Sequence, residues 1–542
     1  MLKRILAMAC AVIMVLSCAA CGGKKKADNS DKTIEIFAYN AGYGIDWLYA
    51  VKDAFIKKNP EYDIVITEQA SSDVIDTIIR SGPDANTYDL MLTGGEWSSY
   101  LDKGENVLKG YDYVLEPLDD VYASTVEGED RTFADKMFDS YKDYFTYEVY
   151  NEESGEVEEH YFVVPWAAGW TGIYYNKTMF ESCGLNAEPR TTDELIQYCD
   201  TIKANDKTAL IYASNVGYWE YLYNIWWGQY EGAQGREDFF NVTKDGVIST
   251  EVLKQEGILE SARVLQTMLN PDSGYSAELV ASMDFTKAQA LFLSGEEGAM
   301  IACGDWLENE MKSYASKIKD DLRIMSSPII SALSDKMSYW TLNTTYSEAV
   351  TNKANESALA QCDEKLRALV DYVDGTTDTL PAGTTEADAD IVREARKINY
   401  SIGPLMTAVV PAYASAKDGA KELLKFMATD EAIELYLDNS INSSAPFEYD
   451  ITQYKGYADM SEMGKKKFEI YKDAVYVPFA HKYKTVYAGG LTFVKMGQTS
   501  FEATFGAPNK EDRETAEDIV NRNIEYWNAT RWNNMLKQAG LG

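Results

Sequence analysis

The chain has 542 residues, enough for two or more hydrophobic cores. Its net charge is −35 with 46% hydrophobic residues, so it can fold, but its surface repels nucleic acid and suits a neutral ligand. Only two histidines occur, His160 and His481, which argues against histidine-based zinc sites and Ser-His-Asp catalysis. No phosphate-binding loop, nucleophile elbow or H-E-x-x-H motif is present, and neither a cofactor nor a metal is expected.

At the start of the chain, Lys3 and Arg4 precede an apolar run from Ile5 to Leu16 that is too short to span a bilayer. Small residues Ala19 and Ala20 then precede Cys21-Gly22-Gly23. The pattern resembles a bacterial lipoprotein signal, residues 1–21, with Cys21 lipidated and retained as the mature N-terminus; Cys18 is the alternative. It implies an extracytoplasmic body anchored to the cell membrane by lipid alone. Residues 22–32 read as a polar tether.

Thr33 to Tyr39 alternates as a strand, and Trp47, Val51 and Phe55 mark a helix over 44–58. Residues 62–67 form a second strand, Val74 to Ile79 a second helix, and 88–92 a third strand turned out by Gly94-Gly95. Alternation of this kind predicts parallel strands with crossover helices, an α/β class. Residues 126–160 are acidic and hairpin-like. Tyr161 to Lys177 reads as two apolar strands around a Pro/Gly-rich irregular piece, as expected of a chain crossing between lobes.

Thr191 with Glu194 opens a helix as a capping box. Residues 216–232 form an unusually aromatic helix, 284–300 a helix stopped at Ser294-Gly295, and 301–306 a short strand into a turn. Residues 358–373 are helical, and 350–400 as a whole reads as an insertion. A strand over 405–413, helices over 417–427 and 430–437, and one long C-terminal helix over 514–539 complete the reading. Cys183, Cys199, Cys303 and Cys362 lack metal-ligand spacing and read as buried thiols, with a disulfide left open.

Four segments, in order, resemble the sugar-binding group of extracellular solute-binding lipoproteins of ABC importers, related to maltose-binding protein. They are Val164 to Phe180 with Tyr175-Asn176-Lys177, Arg190 to Leu195, Phe292 to Met300 through Gly304-Asp305-Trp306, and Val409 to Phe426. The resemblance implies a two-lobe periplasmic-binding-protein-like fold with a multi-strand hinge. Lobe one would be 33–165 plus about 340–440, and lobe two 167–335 plus about 441–542. It implies binding rather than catalysis, an oligosaccharide ligand, an ABC permease as partner and a monomeric state. A glycoside hydrolase and a sugar-sensing partner of a membrane kinase are the alternatives.

A sugar ring offers a C–H face to aromatic planes and hydroxyls to polar rims, and ligands of α/β lobes bind at strand carboxyl ends. The expected ligand residues are therefore Tyr39 and Asn40, Glu96 and Trp97, and Trp166 and Trp170 at the crossover, while the resemblance to the family's G-x-W segment implies Asp305 with Trp306. Trp219, Trp226 and Trp227 share a helix and are weaker candidates, since helical spacing suits core packing. Trp340, Trp527 and Trp532 are expected to be structural.

Overall fold

The computed structural model describes residues 31–542, apart from 41, 95–96, 98–99, 101–109, 152–155, 214–216, 277–282, 296–297, 478–484, 486–489 and 492–499. Cys18, Cys21, Glu96 and His481 lie outside the described residues. Among the described residues, no helix is long and apolar enough to cross a membrane.

The fold is mixed α/β and has two lobes, each built on its own sheet. The first sheet uses β1 (Thr33–Tyr39), β2 (Asp63–Gln69), β3 (Leu90–Gly94), β4 (Val163–Pro165) and β9 (Met406–Val409), in the order β2-β1-β3-β9-β4. The second uses β5 (Thr171–Asn176), β6 (Leu210–Ile211), β7 (Met300–Gly304) and β8 (Leu322–Ile324), in the order β8-β5-β7-β6. In the first sheet β1 is parallel to β2 and β3, with Ile36 opposite Ile66 and Leu90, and β9 runs antiparallel to β3 and β4. In the second, β5 is antiparallel to both neighbours.

The inner strands β5 and β7 are buried on two faces and read as apolar runs, whereas the edge strand β2 leaves Asp63 and Val65 exposed. In β5, Ile173 and Tyr175 face one core while Tyr174 faces another. In β1, Ile34, Ile36 and Ala38 face the side opposite to Phe37. The core holding Ile34 and Ile36 also takes in Ile301 and Ile324 of the second sheet, so the two lobes share packing where they meet.

Helix ends follow local chemistry. Thr191 caps the Thr192–Ala204 helix by accepting the Glu194 N–H at 3.2 Å. Glu194 does not close the box back onto Thr191; its carboxylate takes the Arg190 N–H at 2.7 Å and the Arg190 guanidinium. Gly295, at φ +70°, ends the Phe285–Ser294 helix in the left-handed conformation glycine favours. The C-terminal segment is two helices, Ala516–Tyr526 and Ala529–Gln538, not the single one expected. Trp527 leaves helical geometry, and the Asn528 side chain caps the second helix by accepting from Thr530 and Arg531, a competition that helical periodicity does not register.

Helices Glu356–Val373 and Glu386–Lys397 pack on the second core through Leu366, Leu369, Ala389 and Val392, and the chain rejoins the first sheet at β9. The four cysteines of the described chain are free thiols, Cys183 partly exposed and the others buried.

Candidate functional site

Among the described residues the chain passes between the sheets three times, and the passages lie against one another. The first is Trp166–Trp170, between β4 and β5. The second leads from Tyr400 to β9, and the third follows the helix ending at Asn439. Ala168 N–H donates to the Ser444 carbonyl at 2.7 Å, Ile402 N–H to the Gly169 carbonyl at 2.9 Å, and Ser401 Oγ to the Ala168 carbonyl at 2.6 Å. Gly169 has φ +63°, and a Cβ there would lie 2.3 Å from the Gly403 nitrogen, so this approach of two backbones requires glycine.

The indoles of the first passage point apart. Trp166 is 2% exposed, stacks on Trp47 at 5.6 Å and donates to the Thr93 carbonyl at 3.3 Å. Trp170 is 3% exposed and stacks on Tyr471 at 4.7 Å, with the edge of Phe468 at 5.3 Å. Trp97 is buried as well, its indole N–H donating to Thr407 Oγ1 at 2.8 Å, so it ties the end of β3 to β9. Tyr39 is half-buried and Asn40 exposed, with Asn40 Nδ2 donating to Glu68 at 3.3 Å.

Trp306 and Asp305, just past β7, lie where the lobes meet. The Trp306 indole folds back over its own strand: a Cβ on Gly304 would sit 1.9 Å from its ring, and a Cβ on Gly42, in the other lobe, 2.8 Å from it. Gly304 is what lets the indole lie flat at this position. Asp305 is buried, and protein groups occupy both carboxylate oxygens. Tyr43 donates to Oδ1 at 2.8 Å and Ser444 N–H to Oδ2 at 3.1 Å. Burial raises its pKa to about 6, partly opposed by Lys467 and by the Ser444 and Tyr43 donors. Asp305 thus joins the loop after β1, the end of β7 and the third passage. Asn309 Nδ2 adds a bond to the Gly42 carbonyl at 2.8 Å, and Lys312 pairs with Asp46 at 3.0 Å on the exposed rim.

A row of rings runs along this seam. Tyr43 lies edge-on to both Trp166 and Trp306, at 5.5 and 5.8 Å; Trp306 is edge-on to Tyr218 at 6.2 Å; Tyr218 stacks on Tyr221 at 5.4 Å, and Tyr221 on Tyr400 at 5.8 Å. Tyr218 and Tyr221 pack against the cores of both lobes yet stay half-buried, which makes them the accessible members of the row. The sequence reading missed both. Their signal was present in the same aromatic run, in the turn before and the first turn of the Glu220–Asn241 helix. Trp219, Trp226 and Trp227 are fully buried in the second core, with the Trp226 and Trp227 N–H groups donating to the Pro328 carbonyl and Gln255 Oε1 at 3.1 and 2.8 Å.

Several known proteins are similar to this chain in sequence or in fold. The diacetylchitobiose binding protein NgcE of Streptomyces coelicolor is 24% identical over 331 residues, 58% of this chain and 61% of that protein. The chain spans less than two thirds of the length of the curated relatives it matches. Among solved structures, a chitin oligosaccharide binding protein superposes with TM-score 0.55 at 14% identity, covering 92% of this chain and 99% of the other. An ABC substrate-binding protein of Listeria monocytogenes in complex with cycloalternan gives TM-score 0.55 at 14% identity, with 94% and 100% covered. At that identity the two structures establish the fold. Residues 41–434 match the family described as bacterial extracellular solute-binding protein, and the chain belongs to that family.

Proposed function

We propose that the protein binds a neutral oligosaccharide in the seam between its lobes, without altering it covalently, and delivers it to an ABC permease. The observation that carries this reading is the half-buried pair Tyr218–Tyr221, set beside Trp306 at the meeting of the two lobes. Stacked rings give the C–H faces of sugars a platform, and the acidic chain imposes no net-charge penalty on a neutral ligand. The names of the relatives, a diacetylchitobiose binder and a chitin oligosaccharide binder, point the same way.

In this reading Trp306, Tyr218 and Tyr221 contact the sugar, with Tyr39 and Asn40 at the rim. Trp97, Trp166 and Trp170 support the site from inside the protein, and Asp305 acts through Tyr43. The lobes, divided near residues 33–165 and 167–335 with later segments added to each, rotate about the three passages, and sugar shifts the population toward closure. A lipid on Cys21 keeps the protein beside its permease at high effective concentration. The protein works as a monomer. Calorimetry with chito-oligosaccharides and malto-oligosaccharides, followed by chromatography of the same mixtures, tests the reading. Binding with intact sugar is expected; shortened products would make it a hydrolase, and no heat with any neutral glycan would overturn the carbohydrate assignment.

A further inference from the structure

Far apart in sequence, the first turn of the Glu220–Asn241 helix and the Phe501–Phe505 helix exchange carboxylates. Glu502 Oε1 accepts the Trp219 N–H at 2.6 Å, and Glu220 Oε1 accepts the Phe501 N–H at 3.0 Å. Each helix start is thus satisfied by an acid from the other chain segment, in place of a side chain of its own at Trp219. Glu502 is wholly buried, and its Oε2 has no hydrogen-bond partner. Neither acid has an ion-pair partner among the described residues. Gly217, at φ +71°, closes the space above: a Cβ there would lie 3.2 Å from the Glu220 carboxyl carbon and 3.4 Å from Ser500.

We propose that Glu220 and Glu502 form a proton-sharing clasp, one neutral and one charged, that positions the turn presenting Tyr218 and Tyr221 to the seam. Glu502 is fully buried and Glu220 half-buried, and with no cation beside them among the described residues the two cannot both ionise cheaply, whereas each accepted N–H favours keeping one of them charged. Burial raises both acids above the ordinary carboxylic range, and in Glu502 the neighbouring Glu220 adds to the rise. Among the described residues the other titratable groups facing the clasp are tyrosines: Tyr212 and Tyr221 feel Glu502, while Tyr223 and Tyr400 feel Glu220. Arg236 acts on Tyr223 and Tyr400, and Arg513 on Tyr212. On the Glu256–Leu269 helix, which packs on Phe501–Phe505, Glu256 accepts from Tyr230, Arg263 is paired with Glu517, and Glu260 faces Arg263, Asp335 and Glu256.

The folded protein therefore holds a proton that the unfolded chain releases, and stability contributed by the clasp falls as pH rises through the neutral range. The ligand arm of this inference rests on the proposed sugar site; the proton arm does not. In protein labelled with carboxyl-13C glutamate, titration from about pH 5 to pH 9 is expected to show a glutamate titrating near neutrality that Glu502→Gln abolishes. Over the same span the melting temperature of wild type, relative to Glu502→Gln, is expected to fall by at least about 2 °C. Absence of such a glutamate, or an unchanged pH dependence in Glu502→Gln, would overturn the clasp. If Glu502→Gln does not fold, the wild-type titration and Glu220→Gln decide in its place. Chito-oligosaccharide affinity should weaken about fivefold or more toward pH 9 in wild type and stay flat in the variant; equal affinity across pH in wild type would overturn the positioning role. Absence of sugar binding at every pH would overturn the ligand arm and the sugar reading, while the titration still judges the clasp.

Discussion

Two faces of one aromatic stretch, residues 218–227, behave differently. Trp219, Trp226 and Trp227 are 0% exposed, and their rings fill the second core. Tyr218 and Tyr221 sit on the other side of the same turn, touch the cores of both lobes and remain half-buried. The residue types are alike; what separates the two sets is helix register and the presence of a second lobe opposite one face. Aromatic clustering alone therefore does not identify a sugar platform. A ring becomes one when the fold leaves part of its plane uncovered and places a facing surface across from it.

The sharpest way to break this contrast is Trp227→Ala. Removing a fully enclosed indole should cost about 3–5 kcal/mol of stability, read by denaturant unfolding, while the molecules that remain folded bind sugar normally. Weakened binding at full stability would move that ring into the site. Gly169→Ala comes next. The added methyl meets the Gly403 nitrogen in a left-handed conformation, so a loss of about 2–3 kcal/mol is expected, accompanied by an altered distribution of lobe separations in single-molecule fluorescence. Unchanged stability and unchanged lobe distances would remove the first passage from the hinge.

Trp306→Ala probes the row of rings beside Tyr218: affinity should drop by about 1–3 kcal/mol in calorimetry, with a loss of stability as well, because the indole is buried. Gly304→Ala should do much the same indirectly, because its methyl would occupy the space of the Trp306 ring. If both variants bind like wild type, the row of rings is structural throughout. The smallest effect concerns Asp305. Its carboxyl is raised to about 6 in the folded state, so it favours folding at low pH, and that contribution disappears as pH rises through about 6. The difference in melting temperature between wild type and Asp305→Asn should therefore change between about pH 4 and pH 6.5 and stay level above. A constant difference across that range would mean that Asp305 remains ionised.

Much of the fold was legible because burial imposes periodicity. Trp47, Val51 and Phe55 announced their helix, the strand at 33–39 stood out by alternation, and the short strand read over 301–306 is observed as Met300–Gly304. Gly295 marked a helix end through its conformational freedom. The break at Trp527 was hidden, since the Asn528 cap competes with a pattern that otherwise runs on. The site was only partly legible. Trp306 was singled out through the family's G-x-W segment, but Tyr218 and Tyr221 were hidden among the tryptophans at and after the start of the Glu220–Asn241 helix, and Tyr43, which reaches Asp305 across 262 residues of sequence, carried no local signal.

The sequence by itself determined most of the order of strands and helices, the strongly acidic charge and the aromatic supply from which a platform could be built, because these follow from local periodicity and composition. Tertiary structure alone decided which rings stay accessible, how three passages lock Gly169 against Gly403, and which acids meet without a cation. Those outcomes depend on contacts between residues hundreds of positions apart, whose desolvation and close packing exist only once both lobes have formed.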